Sequence, residues 1–226
     1  MRRAVLMFAA VVAIVRADVT ALAPTVKPAV AEADLAPLLV VLHGNNETAT
    51  ERGEKWREAV ERRGWKLLAL DCPRELGCND DGEWYVWNGS SHWIFERVRE
   101  LARKDRIDPA RVYLAGWSGG ATYIGKRMSE WPRVFAAVVL HGGGVPPRTE
   151  RCPDRILPAY FLVGDENPAH GAAKRLRAYM EECNQPVRWD LLPGANHAQE
   201  DAALTPVKAD EILRWLASQQ RVDAWS

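Results

Sequence analysis

The stretch from Val112 to Ala121 constrains this chain more than any other: an apolar run, Val112-Tyr113-Leu114-Ala115, enters Gly116-Trp117-Ser118-Gly119-Gly120 and leaves into the start of a helix. The turn spells G-x-S-x-G between a strand and a helix. A residue at the apex of such a turn is held in a strained backbone conformation, so its flanks must be too small to collide, and here they are Gly116 and Gly120. The turn projects Ser118 above the sheet edge, and the helix behind it aims backbone N–H groups at an oxyanion formed there. Ser118 is therefore the candidate nucleophile. The plainer alternative is a Gly-rich connection without chemistry; the strand before the turn and the helix after it favour the nucleophile.

Along the rest of the chain, short β-rich apolar runs alternate with longer helical stretches, which implies a parallel sheet covered on both faces. The predicted strands are Leu38 to Leu42, Lys66 to Leu70, Arg111 to Ala115, Phe135 to Leu140, Pro158 to Val163 and Val187 to Leu192. Their nearly continuous apolar character suits strands buried on both sides. Helices are predicted from Thr48 to Arg63, with Trp56, Ala59 and Val60 on one apolar face, from Ser90 to Lys104, with Ile94, Val98 and Leu101 at spacings of four and three, after Ser118, from Ala169 to Cys183, and from Pro206 to Ser218, with Ile212, Trp215 and Leu216 as its stripe.

At 226 residues the chain suits one domain. Lys plus Arg (30) balances Asp plus Glu (30) and no basic block occurs, so a nucleic-acid partner is not expected. Arg2 and Arg3 followed by the apolar run Ala4 to Val15 read as a signal peptide over residues 1–23, with cleavage after Ala17 or Ala23. That run is short for a bilayer span, so stable membrane insertion is not expected. Residues 24–37 read as an extended arm and 38–226 as the folded domain. Four cysteines fit a secreted or periplasmic protein. Three pairings are possible, and the preferred one is Cys72 with Cys78 across a short loop and Cys152 with Cys183 at the entrances of two strands. No C-x-x-C or paired-His spacing calls for a metal, and no cofactor is expected.

The first strong strand ends in His43-Gly44-Asn45-Asn46, and the loop there is the expected second source of an oxyanion donor. The backbone N–H groups of Asn45 and Gly119 are assigned to the hole, each worth about 3–4 kcal/mol of barrier. A helix-entry loop in which Asn46 or Thr48 merely caps is the alternative.

His43-Gly44 after a strand, Asp108-Pro109-Ala110-Arg111-Val112-Tyr113 leading into the turn, and Gly194-Ala195-Asn196-His197 near the end together resemble the α/β-hydrolase superfamily. Within it the pattern is similar to small esterases related to polyhydroxybutyrate depolymerases, feruloyl esterases and the phospholipase/carboxylesterase group. The resemblance implies an α/β-hydrolase fold, a mostly parallel sheet of about six strands with helices on both faces, and ester cleavage through an acyl-enzyme.

Of five histidines, His197 follows the last strand, where the order Ser, acid, His places the base. His43 and His141 end strands before glycines and read as loop-holding residues; His92 and His170 fall in helices or their entries. His141-Gly142-Gly143-Gly144 resembles a lipase oxyanion motif but follows the nucleophile's strand. The resemblance implies G-x-x-D after the fifth strand, where this chain has Gly164-Asp165-Glu166-Asn167. Asp165 is the preferred acid, Asn167 the second choice as an amide orienting the imidazole, and Glu166 the third.

Residues His141 to Leu157 leave no room for a helical lid, so an open site is expected, suited to a small-molecule or polymer-linked ester. In the loop from Cys72 to Asn88, Trp84 or Trp87 is a candidate for stacking on substrate, as is Trp117 in the turn itself; packing of the loop is the alternative. Two other functions fit the same motifs: a non-catalytic carbohydrate-binding protein on a hydrolase scaffold, and a serine peptidase.

Overall fold

The computed structural model describes residues 35–149 and 151–221. The expected signal peptide and most of the arm lie outside the described residues. Six parallel strands form one sheet in the order β2-β1-β3-β4-β5-β6: β1 (Ala36–Leu42), β2 (Lys66–Leu70), β3 (Ile107–Trp117), β4 (Ala137–His141), β5 (Ala159–Gly164) and β6 (Val187–Leu192). β1 begins at Ala36, two residues ahead of the boundary expected from sequence.

Side-chain alternation divides the core between the two faces. Leu38, Val40 and Leu42 of β1 join the face covered by α2 (His92–Lys104), α3 (Gly119–Gly125) and α4 (His170–Glu182). Leu39 and Val41 join the face covered by α1 (Ala49–Arg62) and α6 (Pro206–Ala217). Ile94, Phe95 and Val98 of α2 and Ile212, Leu213 and Leu216 of α6 form the stripes that enter these layers. The start of α1 is fixed by a capping box in which Thr48 and Glu51 satisfy each other's backbone N–H groups.

A further helix, α5 (His197–Ala203), goes beyond the elements expected from sequence. Asn196 caps it and shares a capping box with Gln199, so the segment after β6 becomes helical at the histidine itself.

Cys72 is bonded to Cys78 and Cys152 to Cys183, with sequence separations of 6 and 31, and no described cysteine is free. The longer loop restrains the unfolded chain more, so replacing both Cys152 and Cys183 by serine is expected to cost about 3–4 kcal/mol. In thermal unfolding the midpoint should fall by roughly 10 °C; an unchanged midpoint would contradict the entropic estimate.

Candidate active site

Ser118 sits between β3 and α3 at φ 49°, ψ −105°, a region that non-glycine residues rarely occupy. The flanking glycines are sterically required. A Cβ on Gly116 would lie 2.6 Å from the Ala121 nitrogen, and one on Gly120 would lie 2.7 Å from the carbonyl oxygens of Leu42 and His43. The Ser118 N–H donates to the His141 carbonyl at 2.9 Å, which ties the apex to β4. Ser118 Oγ lies 2.9 Å from His197 Nε2.

Gly119 is the first residue of α3, so its N–H has no intrahelical acceptor. A Cβ built on it would collide with Asn45 Oδ1 and lie 3.7 Å from the Asn45 nitrogen, so the two expected oxyanion donors lie side by side next to the serine. A cavity of about 340 Å³ opens in front of them, walled by Thr122, Gly142, Gly143, Pro168 and Tyr85. On the other side of Ser118 and His197 is a charged cleft of about 700 Å³, bordered by Glu47, Arg52, Lys55 and Asp201. The described residues between 142 and 158 contain no helix.

The imidazole of His197 stacks on Trp117, with ring centroids 4.5 Å apart and planes 9° from parallel. The buried Arg52 guanidinium lies 4.8 Å from the same indole and is held by Glu47 and Asp201. Burial alone would raise the pKa of Asp201, but Arg52 and Lys55 outweigh it and hold the carboxyl below its usual range.

The environment of His197 Nδ1 departs from expectation. Glu200, one helical turn along α5 and completely buried, places Oε2 at 3.3 Å from that nitrogen. Asn167 Nδ2 lies 3.0 Å from it and also donates to Gly142 O at 3.2 Å and to Glu200 Oε2. The other Glu200 oxygen accepts from the Gly164 N–H. Asp165, the acid preferred on sequence grounds, does not reach the imidazole: its carboxylate is exposed and accepts from the Gly194 N–H at 2.6 Å, pinning the β5 end to the turn after β6. Glu166 is also exposed, and its N–H bonds to Ala195 O at 3.2 Å. Nothing in the loop after β5 signals Glu200; the signal is the Asn196…Gln199 capping pattern, which makes His197 and Glu200 neighbours on one helix.

The tryptophan expectations are corrected too. Trp84 and Trp87 are buried, packed 5.2 and 5.4 Å from the Tyr123 ring, and Trp87 donates to Leu76 O. They hold the loop in the core and cannot stack on substrate. Tyr85, between them, faces outward and borders the serine cavity. Trp117 is buried, its ring engaged by His197, His141 and Arg52, so it packs against these side chains rather than offering a face to substrate.

Among the described residues no group of three or more His, Cys, Asp or Glu side chains is arranged to hold a metal ion. No described helix is long and apolar enough to cross a membrane.

A parallel sheet wrapped on both faces, with a serine turn after the central β3 and a histidine after β6, defines an α/β-hydrolase of the esterase type. The chain belongs to the esterase PHB depolymerase family, whose model matches residues 21–151, and equally to the dienelactone hydrolase family, whose model matches residues 88–215. It is 29% identical over 124 residues to poly(3-hydroxyalkanoate) depolymerase C of Paucimonas lemoignei, covering 48% of this chain and 28% of that protein. The match therefore spans well under half of that relative's length. Among solved structures, a thermostable esterase superposes with a TM-score of 0.63 at 18% identity, covering 88% of this chain and 57% of the other. The Bacillus cereus carboxylesterase gives 0.60 at 16% identity, covering 80% and 88%. At these identities the likeness is one of fold.

Proposed function

We propose that the protein is a serine hydrolase that cleaves carboxylic esters through an acyl-enzyme, with Ser118 as nucleophile and His197 as general base. The observation that carries this reading is the 2.9 Å approach of Ser118 Oγ to His197 Nε2 at the apex of a strained turn. Ser118 Oγ attacks the ester carbonyl carbon while His197 Nε2 takes its proton, and the N–H groups of Asn45 and Gly119 hold the oxyanion. Collapse of the tetrahedral intermediate expels the alcohol, which receives the proton from His197. Water, deprotonated in turn by His197, attacks the acyl-serine, releases the acid and restores Ser118.

The site's openness and its two lobes suit an ester whose acyl group enters the small cavity and whose alcohol part lies along the charged cleft. The name of the Paucimonas relative points to hydroxyalkanoate esters, polymeric or oligomeric, as the first substrates to assay. Two disulfides support an oxidising, extracytoplasmic location.

The test is labelling by a fluorophosphonate together with turnover of short-chain acyl nitrophenyl esters. Wild-type protein should be labelled at Ser118 and turn over the esters, and Ser118→Ala should lose both. Absence of labelling and turnover in the folded wild-type protein would reject the proposal.

A further inference from the structure

We infer that the acid supporting His197 has moved off the β5 loop and onto α5: Glu200 is the residue that orients the base, with Asn167 as its amide clamp. The inference deepens the proposed reaction and rests on it.

Hydrogen-bond accounting around the imidazole carries the assignment. The Asn167 amide has a fixed orientation, because Oδ1 accepts from the Ala169 N–H at 2.8 Å. That leaves Nδ2 with two hydrogens and three nearby acceptor positions: Gly142 O, Glu200 Oε2 and His197 Nδ1. With the first two served, no amide hydrogen remains for the ring. His197 Nδ1 must then be the donor, and the acceptor it can reach is Glu200 Oε2 at 3.3 Å. This fixes the tautomer: Nδ1 carries the proton, and Nε2 presents a lone pair to Ser118 Oγ at 2.9 Å. Asn167 alone would do the opposite. An amide hydrogen on Nδ1 would move the ring proton to Nε2, where the imidazole cannot accept a proton from serine.

The fold supports Glu200 in this role. Its carboxylate is completely buried, yet three donors converge on it: the Gly164 N–H, Asn167 Nδ2 and His197 Nδ1. Buried carboxylates persist when paired in this way. Its backbone carbonyl accepts a hydrogen bond from His141 Nε2 at 2.8 Å, which anchors the first turn of α5 against β4. Residue 164 must lack a side chain for this to assemble, since a Cβ there would collide with Ala195 O. Asn167 stands in the place where relatives of this fold are expected to carry the acid, so the two residues have divided one task. Asn167 keeps the position and Glu200 supplies the acceptor.

The test is a charge swap. In Glu200→Gln, the Gly164 N–H holds the amide oxygen, so the amide nitrogen faces His197 and favours the unproductive tautomer. The kcat should fall by about 10³–10⁴-fold, with KM within about threefold, as when a triad aspartate becomes asparagine. In the double variant Asn167→Asp/Glu200→Gln, a carboxylate oxygen replaces Asn167 Nδ2 beside the ring and accepts from His197 Nδ1. The amide nitrogen introduced at position 200 then donates to that carboxylate, so the pair is kept with its charge exchanged. At least tenfold of the lost kcat should return. A folded Glu200→Gln protein within tenfold of wild type would overturn the inference. So would a double variant of native-like melting temperature that recovers nothing, because a merely structural Glu200 predicts no rescue. Should Glu200→Gln fail to fold, the double variant is read directly against wild type, with kcat within about 100-fold supporting the inference and inactivity at native-like stability overturning it. Retained turnover in Ser118→Ala would instead sink the proposed reaction, whereas a dead Ser118→Ala beside a fully active Glu200→Gln sinks only the role of Glu200.

Discussion

Replacing His197 with alanine is expected to lower kcat by about four to six orders of magnitude while leaving KM within a few fold. In the proposed reaction the serine hydroxyl must lose its proton as it attacks, and the other histidines are poorly placed to take it. His43 has both nitrogens engaged, Nδ1 with Gly44 O at 2.7 Å and Nε2 with the Cys72 N–H at 3.3 Å. His141 is buried and spends Nε2 on Glu200 O. Stability should barely enter the result. The His197 side chain is 42% exposed, and its main packing partner is Trp117; losing one stacked pair costs about 0.5–1.5 kcal/mol. The barrier effect, about 5–8 kcal/mol, is several times larger. Steady-state kinetics on a soluble nitrophenyl ester, with melting temperature as control, measures both quantities. A His197→Ala enzyme within tenfold of wild type would remove His197 from the mechanism.

What can be read from the sequence of this chain depends on whether the signal is local. The G-x-S-x-G turn is readable because steric demands at Gly116 and Gly120 are local, and the inner strands β1, β3, β4 and β5 are readable because burial on both faces leaves a continuous apolar run, whereas the edge strands β2 and β6 stay partly exposed. The environment of His197 is not. Asp165 looks like the acid because it sits just past the end of a strand, but its carboxylate is used by the Gly194 N–H. Glu200 escapes notice as long as the last histidine is taken for a loop residue. Taken as a capping box, Asn196…Gln199 puts His197 and Glu200, three residues apart, on one helical face. Trp84 and Trp87 mislead for a different reason. A loop of indoles beside carboxylates looks exposed, yet a disulfide and the Tyr123 ring fold the indoles inward and leave Tyr85 outside. Burial in a loop depends on contacts distant in sequence, such as those with α3, and no short pattern reports them.

The second large effect is on stability in acid, and it originates in His141. Burial is the dominant influence on this ring and lowers its pKa to about 3; the Glu200 carbonyl and Asp201 oppose the shift, while Arg52 and His197 reinforce it. An unfolded chain takes up the proton near pH 6.5. Between those two values the unfolded state binds more protons than the folded state, so stability falls as pH falls. The loss begins near pH 6.5 and is complete near pH 3, and by about pH 4.5 it amounts to about 2–3 kcal/mol from this one group. Asp201 and Asp210, whose pKa values are lowered from 3.8, act in a lower window: their contribution is present above the unfolded value and is lost only as pH falls below about 4. Urea unfolding between about pH 7 and 5.5, above the windows of these aspartates and of Glu51 and Glu54, whose pKa values are lowered from 4.5, therefore reads mainly the histidine. His141→Gln, whose amide nitrogen takes the place of the ring Nε2 and can still donate to Glu200 O, should flatten the pH dependence in that range even if it is less stable at neutral pH. An equal slope in both proteins would show that His141 is not the source. Since the same ring holds the first turn of α5, activity in wild-type protein should decline along with stability once acid unfolding frees His197 and Glu200 from the end of the sheet.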